Sequence, residues 1–278
     1  IEDDLPEEGD TLYPLRPETD REGRSLSIGP IADFDAGARA GLFFHDVLEH
    51  IDFRPEGASG WHEVVQDRLQ VHGYALHWRE PIVAMLARVM ETPLTPEGAA
   101  PFSLGRVHQR DRLTELEFHL PLRGLDAGAL GRVFADCRHR DLRGRLPQLM
   151  EQLAFRVDGG YLKGYIDLVF RHDGRYYLAD WKSNLLGDVH AAYRPGNLAA
   201  VMAETYYFLQ YHLYAVAVDR FLRAFCADYS YARNFGGIFY CFIRGMGSAG
   251  GRPAGVFYDR PAESLMARLG EIFAINNR

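Results

Sequence analysis

Apolar positions recur along the chain in two rhythms, one of a helix and one of a strand. Over residues 36–53, Leu42, Phe43, Val47, Leu48 and Ile51 follow helical spacing and Pro55 comes soon after, which predicts a helix ending before it. Residues 61–71 and 80–90 predict two more helices. Residues 112–120 alternate instead, with Leu113, Glu115 and Glu117 on one side and Thr114, Leu116 and Phe118 on the other, as in a strand. A helix-rich stretch over 127–153 follows, with Gly144 and Pro147 as breaks. Two apolar runs, 164–170 and 175–182, then flank Asp173-Gly174 and predict a tight hairpin. Residues 198–225 predict one long amphipathic helix and 237–243 a further strand. Pro261, in a helix first turn, opens a closing helix that buries Leu265, Met266, Leu269, Ile272 and Phe273. This order predicts an α/β fold, a mixed central sheet flanked by helices.

The hairpin carries the chemistry. With Asp173 and Gly174 at its tip, His172 faces Arg175 and Asp167 falls directly opposite Asp180. Opposed Cβ atoms in a sheet are about 4.5–5.5 Å apart, and two carboxylates at that distance call for a cation. Lys182, two residues beyond Asp180, shares its face. A surface ion-pair cluster is the alternative, contributing little. The apolar residues on both faces of these strands argue against it, because they leave the charges poorly solvated. Two hard oxygen donors and an ammonium suit Mg²⁺ and hydrolysis of a phosphodiester, where the ion acidifies water and neutralises the phosphate.

Other residues offer themselves to this site. Glu115 and Glu117 share a strand face, where they are either solvated or join the acidic cluster. His45 and Glu49 lie four apart on one helix face; a histidine there either packs or serves as a ligand. Gln210 and Tyr214 stand one turn apart on the long helix.

Composition narrows the setting. A chain of 278 residues, 47% hydrophobic and 25% charged, is long enough for one large globular domain. No apolar run reaches membrane-span length and no signal peptide is visible, so no membrane partner and a cytoplasmic location are expected. Cys137, Cys226 and Cys241 are scattered, against a zinc or iron–sulfur site. The net charge of −7 argues against coating nucleic acid by bulk electrostatics, so any DNA contact is local. Much of the acid excess lies near the start, at Glu2, Asp3, Asp4, Glu7 and Glu8 among prolines and glycines. Residues 1–30 are therefore expected to be a flexible acidic interdomain linker end, with the folded domain over 31–278.

Gly164-Tyr165-Ile166-Asp167 followed by Asp180-Trp181-Lys182 resembles the PD-(D/E)XK nuclease signature. The match extends through Gly41-Leu42-Phe43-Phe44-His45, Glu115-Leu116-Glu117-Phe118, residues 164–187, Gln210-Tyr211-His212-Leu213-Tyr214 and Gly255-Val256-Phe257-Tyr258. In this order the blocks resemble the nuclease domain of the RecB family, over roughly residues 41–275. The resemblance implies a restriction-endonuclease-like core with helical additions and a deoxyribonuclease of exodeoxyribonuclease V type. It implies that His45, Asp167, Asp180 and the backbone carbonyl of Trp181 hold Mg²⁺, with Ca²⁺ as a non-catalytic substitute. Lys182 becomes the catalytic lysine, Glu115 an auxiliary acid for which Glu117 is the competing candidate, and Gln210 with Tyr214 a support or DNA contact. Trp181 stands where the family usually has tyrosine, a change that leaves a carbonyl ligand intact.

The resemblance further implies work on DNA in break repair, recombination and foreign-DNA degradation in the bacterial cytoplasm, with RecC, RecD, the RecB helicase region and RecA as partners. No G-x-x-x-x-G-K-[ST] loop occurs, so ATP-driven unwinding is expected outside these residues. A different class of function, a RecA or partner-docking module with a vestigial site, conflicts with the intact Asp167, Asp180 and Lys182. Iron–sulfur relatives require four cysteines.

Overall fold

The computed structural model describes residues 26–122, 125–135, 146, 149–150, 156–157, 159–249 and 252–273. The expected linker lies outside the described residues up to residue 25, as does much of the stretch 127–153. Helices α1 (Ala38–His50), α2 (Trp61–Val71) and α3 (Arg79–Glu91) come first. Strand β1 (Arg112–Leu122) leads to β2 (Leu125–Asp126), α4 (Ala127–Phe134) and β3 (Arg156–Val157). The hairpin is β4 (Gly160–His172) and β5 (Arg175–Lys182). Then come α5 (Pro195–Glu204), α6 (Tyr207–Phe225), α7 (Tyr231–Asn234) and β6 (Phe235–Phe242). The described part closes with β7 (Gly247–Ala249), β8 (Arg252–Ala254), β9 (Val256–Asp259) and α8 (Glu263–Ile272).

Five strands form one sheet in the order β1-β4-β5-β6-β9. Among the described residues only β5 and β6 pair in parallel, so the sheet is mixed, as its alternation with helices led one to expect. Every residue of β6 is buried, the pattern of an inner strand covered on both faces. At the hairpin tip Asp173 and Gly174 have φ of 46° and 74°; positive φ at both central residues twists the turn to match its strands. The β4–β5 register is the expected one, Leu168 facing Ala179 and His172 facing Arg175.

Several details differ from the expectations. Leu42 is 68% exposed, because the buried stripe of α1 runs through Ala40, Phe43, Phe44, Val47 and Leu48 and leaves it to one side. The long helix over 198–225 is two helices. The break falls where Thr205 Oγ1 donates back to the Val201 carbonyl at 2.8 Å and Tyr206 takes a left-handed φ of 57°. Neither glycine nor proline marks that break. Pro261 stands before the Ala262 cap and not in the first turn, while Leu265, Met266, Leu269 and Phe273 are buried as the spacing predicts.

Candidate active site

Three segments distant in sequence meet at the hairpin. α1 brings His45, β4 brings Asp167, and β5 brings Asp180, Trp181 and Lys182. Asp167, Asp180 and Lys182 are all buried, a costly placement for charges unless they compensate one another. His45 lies across the group, Nδ1 3.3 Å from Asp167 Oδ1 and Nε2 3.1 Å from the Trp181 carbonyl oxygen. Both neighbours accept, so the imidazolium, with two N–H groups, satisfies both. Burial alone would lower the His45 pKa, but the Asp167 carboxylate outweighs it and holds the ring up to about 9.

The two aspartates do not sit face to face in a regular ladder. Backbone pairing stops at Leu168 and Ala179, and Asp167 instead turns its Oδ2 to accept the Trp181 N–H at 2.7 Å. That bond fixes the carboxylate beside the Trp181 peptide whose carbonyl meets His45.

Asp180 Oδ2 lies 2.9 Å from Lys182 Nζ. The same oxygen makes no hydrogen bond of acceptable geometry, so the contact is ionic without being a formed hydrogen bond. Burial pushes the Asp180 carboxyl up to about 7, against the opposing pull of Lys182. The ammonium also lies over aromatic faces, 4.1 Å from the Tyr207 ring centroid and 5.4 Å from that of Tyr240.

Gln210 and Tyr214 support this arrangement from α6. Gln210 Nε2 donates to Tyr214 Oη at 2.9 Å, and Tyr240 Oη donates to Gln210 Oε1 at 2.8 Å. Tyr214 packs edge-on against Phe118, whose ring lies so close to Gly164 that a Cβ there would sit 2.7 Å from it. The glycine of Gly164-Tyr165-Ile166-Asp167 thus makes room for the ring that carries Tyr214.

Glu115 joins the cluster and Glu117 does not. Ligand atoms of His45, Glu115 and Asp167 lie within 4.8 Å of one another. Glu115 has a φ of 50°, a left-handed conformation that interrupts the even alternation of β1 and the ladder at this position. Its carboxyl is pushed up by burial, then by Asp167. Glu117, exposed, binds His119 Nε2 at 2.6 Å, Lys163 Nζ at 3.5 Å and the Tyr165 hydroxyl at 3.2 Å. A nitrogen donor, buried carboxylates, a backbone carbonyl and an Asp180 oxygen lacking a hydrogen bond make a donor set that fits a hard divalent cation.

Three contributors escaped sequence reasoning. Tyr207 and Tyr240 reach Lys182 only through the helix break and the parallel pairing of Asp180 with Tyr240. Arg244, fully buried, follows β6. Its Nε donates to the Ser183 carbonyl at 2.7 Å, while its terminal nitrogens donate to the carbonyls of Ile31 (3.0 Å), Phe34 (2.9 Å) and Asp35. The guanidinium therefore ties the approach to α1, and with it His45, to the residue after Lys182. An arginine directly behind an all-apolar strand was its one sequence signal.

Comparison with known proteins agrees with this geometry. The family model of the PD-(D/E)XK nuclease superfamily matches residues 21–264. The RecBCD enzyme subunit RecB of Escherichia coli K12 is 37% identical over 242 residues, covering 87% of this chain and 19% of that protein. The same-named subunit of Haemophilus influenzae is 34% identical over 245 residues, with coverage of 87% and 19%. That of Mycobacterium tuberculosis H37Rv is 34% identical over 286 residues, with coverage of 87% and 24%. The chain thus spans about a fifth to a quarter of the length of these relatives. It belongs to the PD-(D/E)XK nuclease superfamily, and its sequence matches a RecB-type nuclease domain.

Proposed function

We propose that residues 31–278 form a Mg²⁺-dependent deoxyribonuclease domain that hydrolyses phosphodiester bonds of DNA strands. The observation that carries this is the buried Asp167, Asp180 and Lys182 with His45 laid across Asp167 and the Trp181 carbonyl. His45, Asp167, Asp180 and the Trp181 carbonyl would hold the ion, Ca²⁺ substituting without catalysis. When bound there, Mg²⁺ supplies charge neutralisation at the phosphate and acidification of water.

The chain's own residues supply the rest. Lys182, fixed between Asp180 and two tyrosine rings, offers its Nζ protons to a phosphate oxygen or to the attacking water without first having to be ordered. Glu115, with its raised carboxyl beside Asp167, is placed to take the proton of that water as its oxygen bonds to phosphorus and the 3′ oxygen departs. Gln210 and Tyr214 brace the wall formed by Tyr240 and Phe118.

The relatives are named as subunits of a RecBCD enzyme. By that likeness the domain acts in exodeoxyribonuclease V fashion on strands delivered by a RecB helicase region. It would work beside RecC and RecD, with RecA as a further partner, in DNA repair and recombination in the bacterial cytoplasm.

The test is cleavage of end-labelled single-stranded DNA by the 278-residue chain with Mg²⁺. Asp180→Ala and Lys182→Ala should each lower the rate by about 10²-fold or more with unchanged circular dichroism. Undiminished cleavage by Asp180→Ala would overturn the assignment.

A further inference from the structure

β4 is longer than the sheet requires. Its pairing with β5 begins only at Leu168, whereas its pairing with β1 runs on to Gly160 facing Leu122. The first half of β4 and the second half of β1 therefore extend past β5 as a two-stranded ribbon beside the candidate active site.

Side chains on the β4 half of this ribbon sort cleanly. Leu162 packs against the core, Gly164 lies under the Phe118 ring, and Ile166 is buried. The alternating positions Tyr161, Lys163 and Tyr165 are exposed, the tyrosines to 69% and 45%. Two large aromatic rings in solvent contribute nothing to the core.

The row is also braced. Glu117, opposite Tyr165, accepts from its hydroxyl at 3.2 Å and lies 3.5 Å from Lys163 Nζ and 2.6 Å from His119 Nε2. Lys163 Nζ sits 5.3 Å from the Tyr165 ring centroid. One pleat beyond the Tyr165–Glu117 pair come Asp167 and Glu115, which with His45 make the acidic cluster. The row thus runs directly into the site.

We propose that Tyr161, Lys163 and Tyr165 form a stacking rail that binds an unpaired DNA strand to one side of the phosphate being cut. The inference rests on the nuclease reading and adds how the strand is held. Every base has a π face, so aromatic stacking holds a strand without reading its sequence. In a duplex those faces are stacked on neighbouring bases, so the rail selects single strands. The tyrosines are four strand residues, roughly 13 Å, apart, leaving room for an intervening nucleotide whose phosphate meets Lys163. A chain of net charge −7 needs such a local contact. Lys163 and Lys182 are its only lysines among 31 basic residues, and of the two Lys163 is the exposed one.

The test measures binding apart from cleavage, by fluorescence anisotropy of labelled single-stranded DNA in Ca²⁺, and then cleavage in Mg²⁺. Tyr165→Ala should weaken binding about tenfold, Tyr165→Phe less than about threefold, with Tyr161→Ala intermediate. Scanning one abasic nucleotide through the oligonucleotide should find a position that costs the unmodified protein the same tenfold and costs Tyr165→Ala nothing further. The scan on the unmodified protein by itself needs no variant to fold. Unchanged affinity in both alanine variants, or an abasic scan without a sensitive position, overturns the rail. Absence of cleavage by a protein whose binding follows the pattern overturns the nuclease reading instead.

Discussion

At the residue scale, the site is a set of charges balanced internally. His45 as an imidazolium donates to Asp167 and to the Trp181 carbonyl, and Lys182 answers Asp180. Both titrating groups have pKa values raised by folding, His45 from 6.5 to about 9 and Asp180 from 3.8 to about 7. A raised pKa means that the folded state binds the proton more tightly. The stability it contributes is complete below the unfolded value and is lost as pH rises through the folded one. These two groups should therefore lower the melting temperature of the metal-free chain as pH rises from about 4 to about 9, Asp180 acting up to about pH 7 and His45 from about pH 6.5 upward. A divalent ion needs those protons gone, so the rise in melting temperature at saturating Mg²⁺ or Ca²⁺ should grow over the same range. Thermal unfolding with and without metal at several pH values checks both trends; a metal shift that shrinks with pH would contradict this ligand set.

Glu115 adds a second case. Its left-handed φ of 50° strains any residue with a Cβ, so Glu115→Gly should be about 1 kcal/mol more stable than Glu115→Ala in urea unfolding. Both variants should cut DNA far more slowly than Glu117→Gln, since only Glu115 reaches His45 and Asp167. The competition between the two glutamates was open in the sequence because alternation puts both on one side, and alternation carries no sign of a single left-handed residue.

At the element scale, the legible parts were those with local causes. The Asp173-Gly174 turn set the hairpin register, and apolar spacing placed α1, α2, α3, β1 and α8 within a few residues. The break at Tyr206 was illegible because no proline or glycine announces it, yet it is what brings Tyr207 onto Lys182. Arg244 was hidden for another reason, that its partners are backbone carbonyls of any residue type. Removing it leaves the carbonyls of Ser183, Ile31, Phe34 and Asp35 without this donor. Arg244→Met should cost about 3 kcal/mol or more in urea unfolding. If these residues hold the ion as proposed, metal affinity should fall with it, because His45 on α1 is no longer tied to β5. Calorimetric titration with Mn²⁺ checks the coupling; unchanged affinity in a destabilised variant would confine Arg244 to a packing role. Gly164→Ala should push Phe118 off Tyr214 and cost about 1–3 kcal/mol.

At the scale of the whole molecule, helices cover a mixed sheet and the site lies where the β4–β5 ladder ends. Among the described residues no helix is long and apolar enough to cross a membrane. The family was legible because its signature residues fall on one hairpin; the parallel placement of β6, which brings Tyr240 beside Asp180, depends on a long-range pairing that spacing does not encode. The claim on which the functional reading turns is that His45, Asp167, Asp180 and the Trp181 carbonyl hold one divalent ion next to Lys182. A crystal of the chain soaked in Mn²⁺ and measured at the manganese edge tests it directly. An anomalous peak bonded to these four groups is the expected result; at saturating Mn²⁺, a peak elsewhere with none among these residues would contradict it.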